Sequence, residues 1–377
     1  MRTHSRHVAL VVLTSSLLAI ASPSLSAQDP IKKDQPAGTL NAEQRAEVLE
    51  GALKHLNDYY IFPDKAREME KAVRARQEKK EYDSITSPRT LAETLTKHFQ
   101  EVSHDKHLRV MYSSEPLPKP RESRPTQEER QRMRERMSKN NFGFEKVERL
   151  EGNVGYLDLR GFMEAEAAGE TAAAAMSFLA NTDALIIDLR KNGGGSPGMV
   201  ALLCSYLFDG PPRHLNSLHW RRPEGEEVQQ WWTLAYVPGK RYVGKEVYVL
   251  TSKRTFSAAE EFTYNLQTQK RATIVGETTG GGAHPGGTHP INDHFLIWVP
   301  SGRAVNPVTK TNWEGSGVKP DIDVPADQAL KTAHLAALKK SFAEKKTDEF
   351  LKDQLKKLVD KLQKELDALK KPVQTEN

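Results

Sequence analysis

The chain of 377 residues is long enough for two or three subdomains and a sizeable core, with 28% charged and 37% hydrophobic residues, the balance of a soluble globular chain. Its formal charge of +5 falls to 5 − 2 = +3 once Arg2 and Arg6 are set aside with a removable leader, too mild a surplus to call for nucleic acid or another polyanionic partner. Cys204, the single cysteine, excludes a disulfide framework and sits in an apolar helical pattern as a small hydrophobe.

Residues 1–27 begin basic, continue through an apolar run from Val8 to Ala21 and end in small residues, the pattern of a secretory signal peptide cleaved near Ala27. The run is too short for a membrane span, so an extracytoplasmic protein, periplasmic or secreted, is expected. Residues 28–39 read as a flexible tether, and residues 40–104 as a small N-terminal helical subdomain. Its first helix opens on an Asn41/Gln44 capping box and carries Val48, Leu49, Leu53 and Leu56 at helical spacing. A second helix spans about 65–79, and a third opens at Ser87 with Pro88 just inside.

His104 and His107 fall where this third helix gives way to a strand pattern at Leu108, Val110 and Tyr112. As metal ligands they lack a third partner nearby, and a strand turns them to opposite faces, so no metal is expected. Residues 113–141 form a charged insert in which Thr126 and Glu129 cap an exposed helix, with a lid or substrate guide as the minor reading. A hairpin follows over 142–159, then an alanine-rich helix over about 165–180 and a buried-type strand from Ala184 to Leu189. That strand runs into Asn192 and the glycines Gly193, Gly194 and Gly195, which let backbone approach a ligand closely and supply free amides. After a helix to Phe208, the stretch from His214 to Tyr242, with Trp220, Trp231 and Trp232, reads as a hairpin or loop beside the active site.

Ser257 lies at the mouth of a helix between two buried-type strands, Val247 to Leu250 and Ala272 to Val275. Ser257-Ala-Ala-Glu260 reads as a capping box; it also reads as a nucleophile at a helix N-terminus, where unpaired amides stabilise an oxyanion. Gly280 to Gly282 and His284 then suit an active-site loop, and strand patterns at 295–299 and 322–324 are expected to close the core around Glu314. Residues 326–377 read as C-terminal helices, with leucines from Leu351 to Leu369 making a narrow stripe that docks on the chain or, as the minor reading, forms a homo-oligomer seam.

Three stretches in this order, IDLRKNGGG, TFSAAEEFTYNLQTQKRATIVGETTGGGAHP and WEGSGVKPDIDVP, resemble serine peptidases that include the C-terminal processing proteases, the tricorn protease and the repeats of interphotoreceptor retinoid-binding protein. The likeness covers roughly residues 40–325 and is closest to the retinoid-binding-protein-like and tricorn-like branch. It implies an α/β fold with a crotonase-like (ClpP-like) spiral catalytic core over 105–325. Processing proteases pair their serine with a lysine, but the matching position here is Gly282, and the short 113–141 insert leaves no room for their PDZ domain.

By resemblance to the tricorn-like branch, Ser257 is the nucleophile, His107 the general base and Glu314 the orienting carboxylate, with Gly193, Gly194, Gly195 and Ala258 around the oxyanion. Lys106 stands where tricorn-like enzymes place a serine; His284 is the alternative base, and Glu260 a further candidate. The implied function is hydrolysis of peptide bonds in a peptide or protein substrate, by acyl transfer and without a cofactor. The competing reading is a non-catalytic binding protein that holds an apolar ligand on the same fold.

Overall fold

The computed structural model describes residues 38–118, 126–344 and 349–370. The expected signal peptide and nearly all of the tether lie outside the described residues.

The N-terminal helices form where capping chemistry places them. Helix α1 (Ala42–Tyr59) opens on the expected reciprocal box: Asn41 Oδ1 accepts from the Gln44 amide at 2.8 Å and Gln44 Oε1 from the Asn41 amide at 3.0 Å. Helix α2 (Pro63–Glu78) begins on a proline whose missing N–H costs nothing there. Helix α3 (Pro88–Ser103) is capped by Ser87 and stopped by His104 in the left-handed conformation, φ 57°. That turn aims Asp105 and His107 inward before strand β1 (Arg109–Tyr112). Helix α4 (Gln127–Ser138) follows, with its Thr126/Glu129 box formed and no residue buried, as expected of a solvated charged helix. Among the described residues, 113–143 hold only this helix and one 3-10 turn, so no PDZ domain intervenes.

The rest of the chain winds the α/β core. In order it runs β2 (Phe144–Leu150), β3 (Val154–Leu159), α5 (Ala165–Leu179), β4 (Ala184–Asp188), α6 (Pro197–Leu207), β5 (His214–Arg222), β6 (Gly225–Trp232), β7 (Glu246–Thr251), α7 (Ala258–Thr268), β8 (Thr273–Gly276), β9 (Gly286–Pro290), β10 (Phe295–Pro300), β11 (Gly302–Val305), β12 (Ile322–Asp323), α8 (Ala329–Glu344) and α9 (Glu349–Lys370).

The central sheet has the order β2-β3-β4-β7-β8-β12, antiparallel at the β2 edge and parallel from β3 onward. Strands therefore add on one side in chain order. Parallel crossovers keep one hand, so α5, α6 and α7 are carried to the same face, as the expected spiral core requires. Alternate residues of the buried strands split between the two faces: Leu185, Ile187, Val247, Val249 and Ile274 pack under α5 to α7, while Ile186, Tyr248, Leu250 and Val275 meet α8 and α9. Leu355, Leu362 and Leu366 of the C-terminal stripe are buried in this second layer, so the stripe docks on its own chain.

Two smaller antiparallel sheets, β1-β10-β9 and β11-β5-β6, flank the core. Phe295, Ile297 and Val299 of β10 pack with Leu108 and Val110 against α1 to α3. The 295–299 strand thus does not close the spiral core; it pairs with β1, because its inward apolar residues complete the helical subdomain's core. This pairing brings the residues before β1 and before β9 to one place.

Candidate active site

Ser257 precedes the first residue of α7, after β7 and a short turn. Four other helices whose N-cap side chain accepts a first-turn amide, at Asn41, Ser87, Thr126 and Ser196, have that residue extended, with φ between −62° and −86°. That is the usual geometry of a residue that only caps. Ser257 has φ 55° and ψ −124°, a conformation that costs a non-glycine residue about 1–3 kcal/mol.

The glycine loop lies against this turn. Asn192 holds it: its Nδ2 donates to the Leu159 carbonyl at 2.9 Å, and its own carbonyl accepts from the Phe256 amide at 3.2 Å. A Cβ on Gly194 (φ +111°) would lie 2.7 Å from Ser257 Cβ and 3.0 Å from the Ala258 nitrogen, so only glycine leaves open the space beside that amide. Ala258 N–H heads the helix and has no intrahelical acceptor. Gly194 differs from the expectation as an oxyanion donor: its N–H is taken by Asn192 Oδ1 at 2.9 Å.

Glu260 ties the serine turn to the second glycine loop. Its carboxylate accepts from the amides of Ser257 (2.9 Å), Gly281 (2.6 Å) and Gly282 (2.8 Å) and from Thr279 Oγ1 (2.5 Å). Burial pushes this carboxyl upward and the four donors oppose the shift. The capping box seen in the sequence is therefore one corner of a buried clamp. From the other side, Trp313 Nε1 donates to the Gly282 carbonyl at 2.8 Å and Glu314 Oε2 accepts from the Ala283 amide at 2.5 Å.

The β1-β10-β9 sheet delivers the remaining groups. His107 is buried, its ring 4.5 Å from that of Phe256, the residue before the serine. Asp105, His107 and Glu314 each present a ligand-type atom within 4.8 Å of the others. Asp105 Oδ1 accepts from the His107 amide (3.0 Å), while Oδ2 lies 2.8 Å from His284 Nδ1 and accepts from Tyr60 Oη (3.3 Å). His284 Nδ1 is also 3.6 Å from Glu314 Oε2. His107 Nδ1 and Glu314 Oε1 are buried without a hydrogen-bond partner.

Desolvation holds His107 down to about 4, outweighing the attraction of Asp105. The Glu314 carboxyl is pushed up to about 7, first by burial and then by the Asp105 charge. The imidazole is thus neutral at pH 7 and able to accept a proton.

Of the residues singled out in the sequence, Ser257 meets Gly194, Ala258 and Glu260, and His107 meets Glu314, with Phe256 and Gly282 between the two groups. Lys106 is exposed and donates to the Gly280 carbonyl at 2.5 Å, away from the buried cluster. His284 is held by Asp105. His104 stays outside as the cap of α3. Asp105 and Tyr60 were missed; the Asp-Lys-His spacing at 105–107 is the signal that could have found the first.

Comparison with known proteins agrees with this architecture. Residues 153–324 match the family model described as Peptidase family S41, and residues 38–146 match the N-terminal domain of Peptidase S41 in eukaryotic IRBP. A crystal structure from Parabacteroides merdae, described as a candidate peptidase, is similar over 78% of this chain and 96% of that one, at 17% identity and TM-score 0.55. The photosystem II D1 C-terminal processing protease aligns at 20% identity and TM-score 0.36 over 46% of this chain, and the alignment covers 43% of the protease. The tricorn protease aligns at 12% identity and TM-score 0.46 over 85% of this chain and 37% of its own. With the two family models matched in order along it, the chain belongs to peptidase family S41.

Proposed function

We propose that the protein is a serine peptidase in which Ser257 attacks the scissile carbonyl and forms an acyl-enzyme that water then hydrolyses. The observation that carries this reading is the strained backbone of Ser257: four plain caps in the same chain are extended, and this one is not. Backbone strain persists where surrounding contacts over-determine it, and here the Glu260 clamp and the packed glycine loop do so.

His107 takes the serine proton as general base and returns it to the leaving amine. Glu314 is the carboxylate that steadies the imidazolium, its unpartnered Oε1 matching the unpartnered Nδ1 of His107; such contacts are commonly long before substrate binds. Ala258 N–H and the amides of the Gly193 to Gly195 loop left free by Asn192 stabilise the oxyanion, a term worth about a hundredfold or more per donor. Asp105 and Glu260 are positioning residues. This is the histidine arrangement of the tricorn-like branch, with Gly282 in place of a dyad lysine.

The basic, apolar and small-residue pattern of residues 1–27 supports action outside the cytoplasm, in the periplasm or after secretion. To test the activity, the full chain and its Ser257→Ala form are incubated with a mixture of unstructured peptides and new termini are read by mass spectrometry. Cleavage by the first alone is expected; equal cleavage by both overturns the assignment.

A further inference from the structure

Asp105, His107 and Glu314 surround one point with two carboxylates and an imidazole, their nearest ligand atoms within 4.8 Å of each other. The set is more than an acidic cluster, because it contains two orphaned atoms: His107 Nδ1 and Glu314 Oε1 are buried and have no partner, and His107 as a whole is only 8% exposed. An orphaned buried polar atom is costly, and a cation that satisfies both would remove that cost.

Oxygen and imidazole donors in groups of three, with a position left open, are the ligand set of non-structural zinc sites and of related divalent transition ions. Metal bonds of about 2.0–2.2 Å would draw the three donors further together by side-chain rotation. Around the set stand the partners that ligating carboxylates ordinarily have. Asp105 is held by the His107 amide, His284 Nδ1 and Tyr60 Oη, and Glu314 Oε2 by the Ala283 amide.

We propose that Asp105, His107 and Glu314 form a site for one divalent transition-metal ion, with zinc as the probe, and that occupancy switches the peptidase off by taking the lone pair of His107. Binding rests on the ligand geometry alone; the switching rests on the reading of His107 as the general base. The ion is reversible and competes with catalysis: the imidazole can accept the serine proton or hold the metal, not both.

The test is isothermal titration of zinc into the full-length Ser257→Ala protein, so that binding is read without turnover. One equivalent is expected to bind. Glu314→Gln and His107→Gln, checked for folding by circular dichroism, should each weaken it by about a hundredfold, and Tyr60→Phe, which removes only a hydrogen bond to Asp105, by about tenfold. His289→Ala should change nothing, since the stacked His55/His289 pair, 5.3 Å apart, is the competing imidazole site. Absence of saturable binding, a site that survives both Glu314→Gln and His107→Gln, or one lost with His289→Ala would overturn the metal site. Zinc that binds as expected but leaves wild-type turnover unchanged would overturn the switch. Failure of zinc binding leaves the Ser257 peptidase reading intact, and binding in Ser257→Ala stands whatever the substrate assay gives.

Discussion

A Cβ on Gly282 would lie 2.6 Å from Cε1 of His107 and 2.3 Å from Cζ of Phe256, so the ring of His107 occupies the room that a side chain at position 282 needs. A histidine base here and a lysine on the glycine loop are sterically exclusive. The missing lysine is thus coupled to the buried histidine.

Gly282→Ala should therefore displace His107 or Phe256. An ångström of misplacement in a catalytic group costs about a hundredfold, so kcat should fall by that order with the far-ultraviolet spectrum unchanged. Steady-state kinetics on a peptide substrate checks this; unaltered kcat would mean that His107 keeps its place or is not the base.

Ser257→Gly should raise stability while abolishing turnover. Glycine relieves the strain at φ 55°, worth about 1–3 kcal/mol, and gives back about 0.5–1 kcal/mol in backbone entropy, for a net gain of about 1 kcal/mol. Ser257→Ala keeps the strain and should be close to neutral. Thermal unfolding of the three proteins side by side measures the difference.

Glu260→Gln puts an amide NH₂ where the carboxylate accepts four donors, leaving at least one buried donor unsatisfied. A loss of about 1–3 kcal/mol is expected, together with reduced kcat, because both loops hang on this side chain. Denaturant unfolding and kinetics on the same preparation test the pairing of the two effects.

The pH dependence separates two buried carboxyls. Glu314 stands at about 7 and His107 at about 4, so as pH falls, Glu314 is neutralised first and kcat/KM should drop through about pH 7. Glu314→Gln should remove that limb.

Glu261 acts on stability instead. Burial pushes it up from 4.5 to about 7, with Asn216 and Asn265 partly opposing. The folded state then binds the proton more tightly than the unfolded one. Its favourable contribution is complete below pH 4.5 and lost as pH rises to about 7, a change of up to about 3 kcal/mol. Glu261→Gln should therefore be more stable than wild type at pH 8 and no more stable at pH 4.5, as read by melting temperatures across that range.

Much of this was legible in the sequence where the physics is local. The Asn41 box, the Ser87-Pro88 start of α3 and the buried strands at 184–188 and 246–251 follow from neighbouring residues alone. The strain at Ser257 was not, because a capping box has the same letters whether its first residue is extended or left-handed. Asp105 was hidden for another reason: its partners Tyr60 and His284 lie 45 and 179 residues away, and only the pairing of β1 with β10 and of β10 with β9 brings them together. The place of β10 was misread because an apolar strand does not declare which core it completes.

The most direct test of the central claim is intact-protein and peptide mass spectrometry after incubation with an irreversible serine-directed phosphonate. The account predicts one adduct, on the peptide that contains Ser257, absent in Ser257→Ala and formed at least about a hundredfold more slowly in His107→Gln. An adduct on a different residue, or labelling of Ser257 at the same rate without His107, would contradict it.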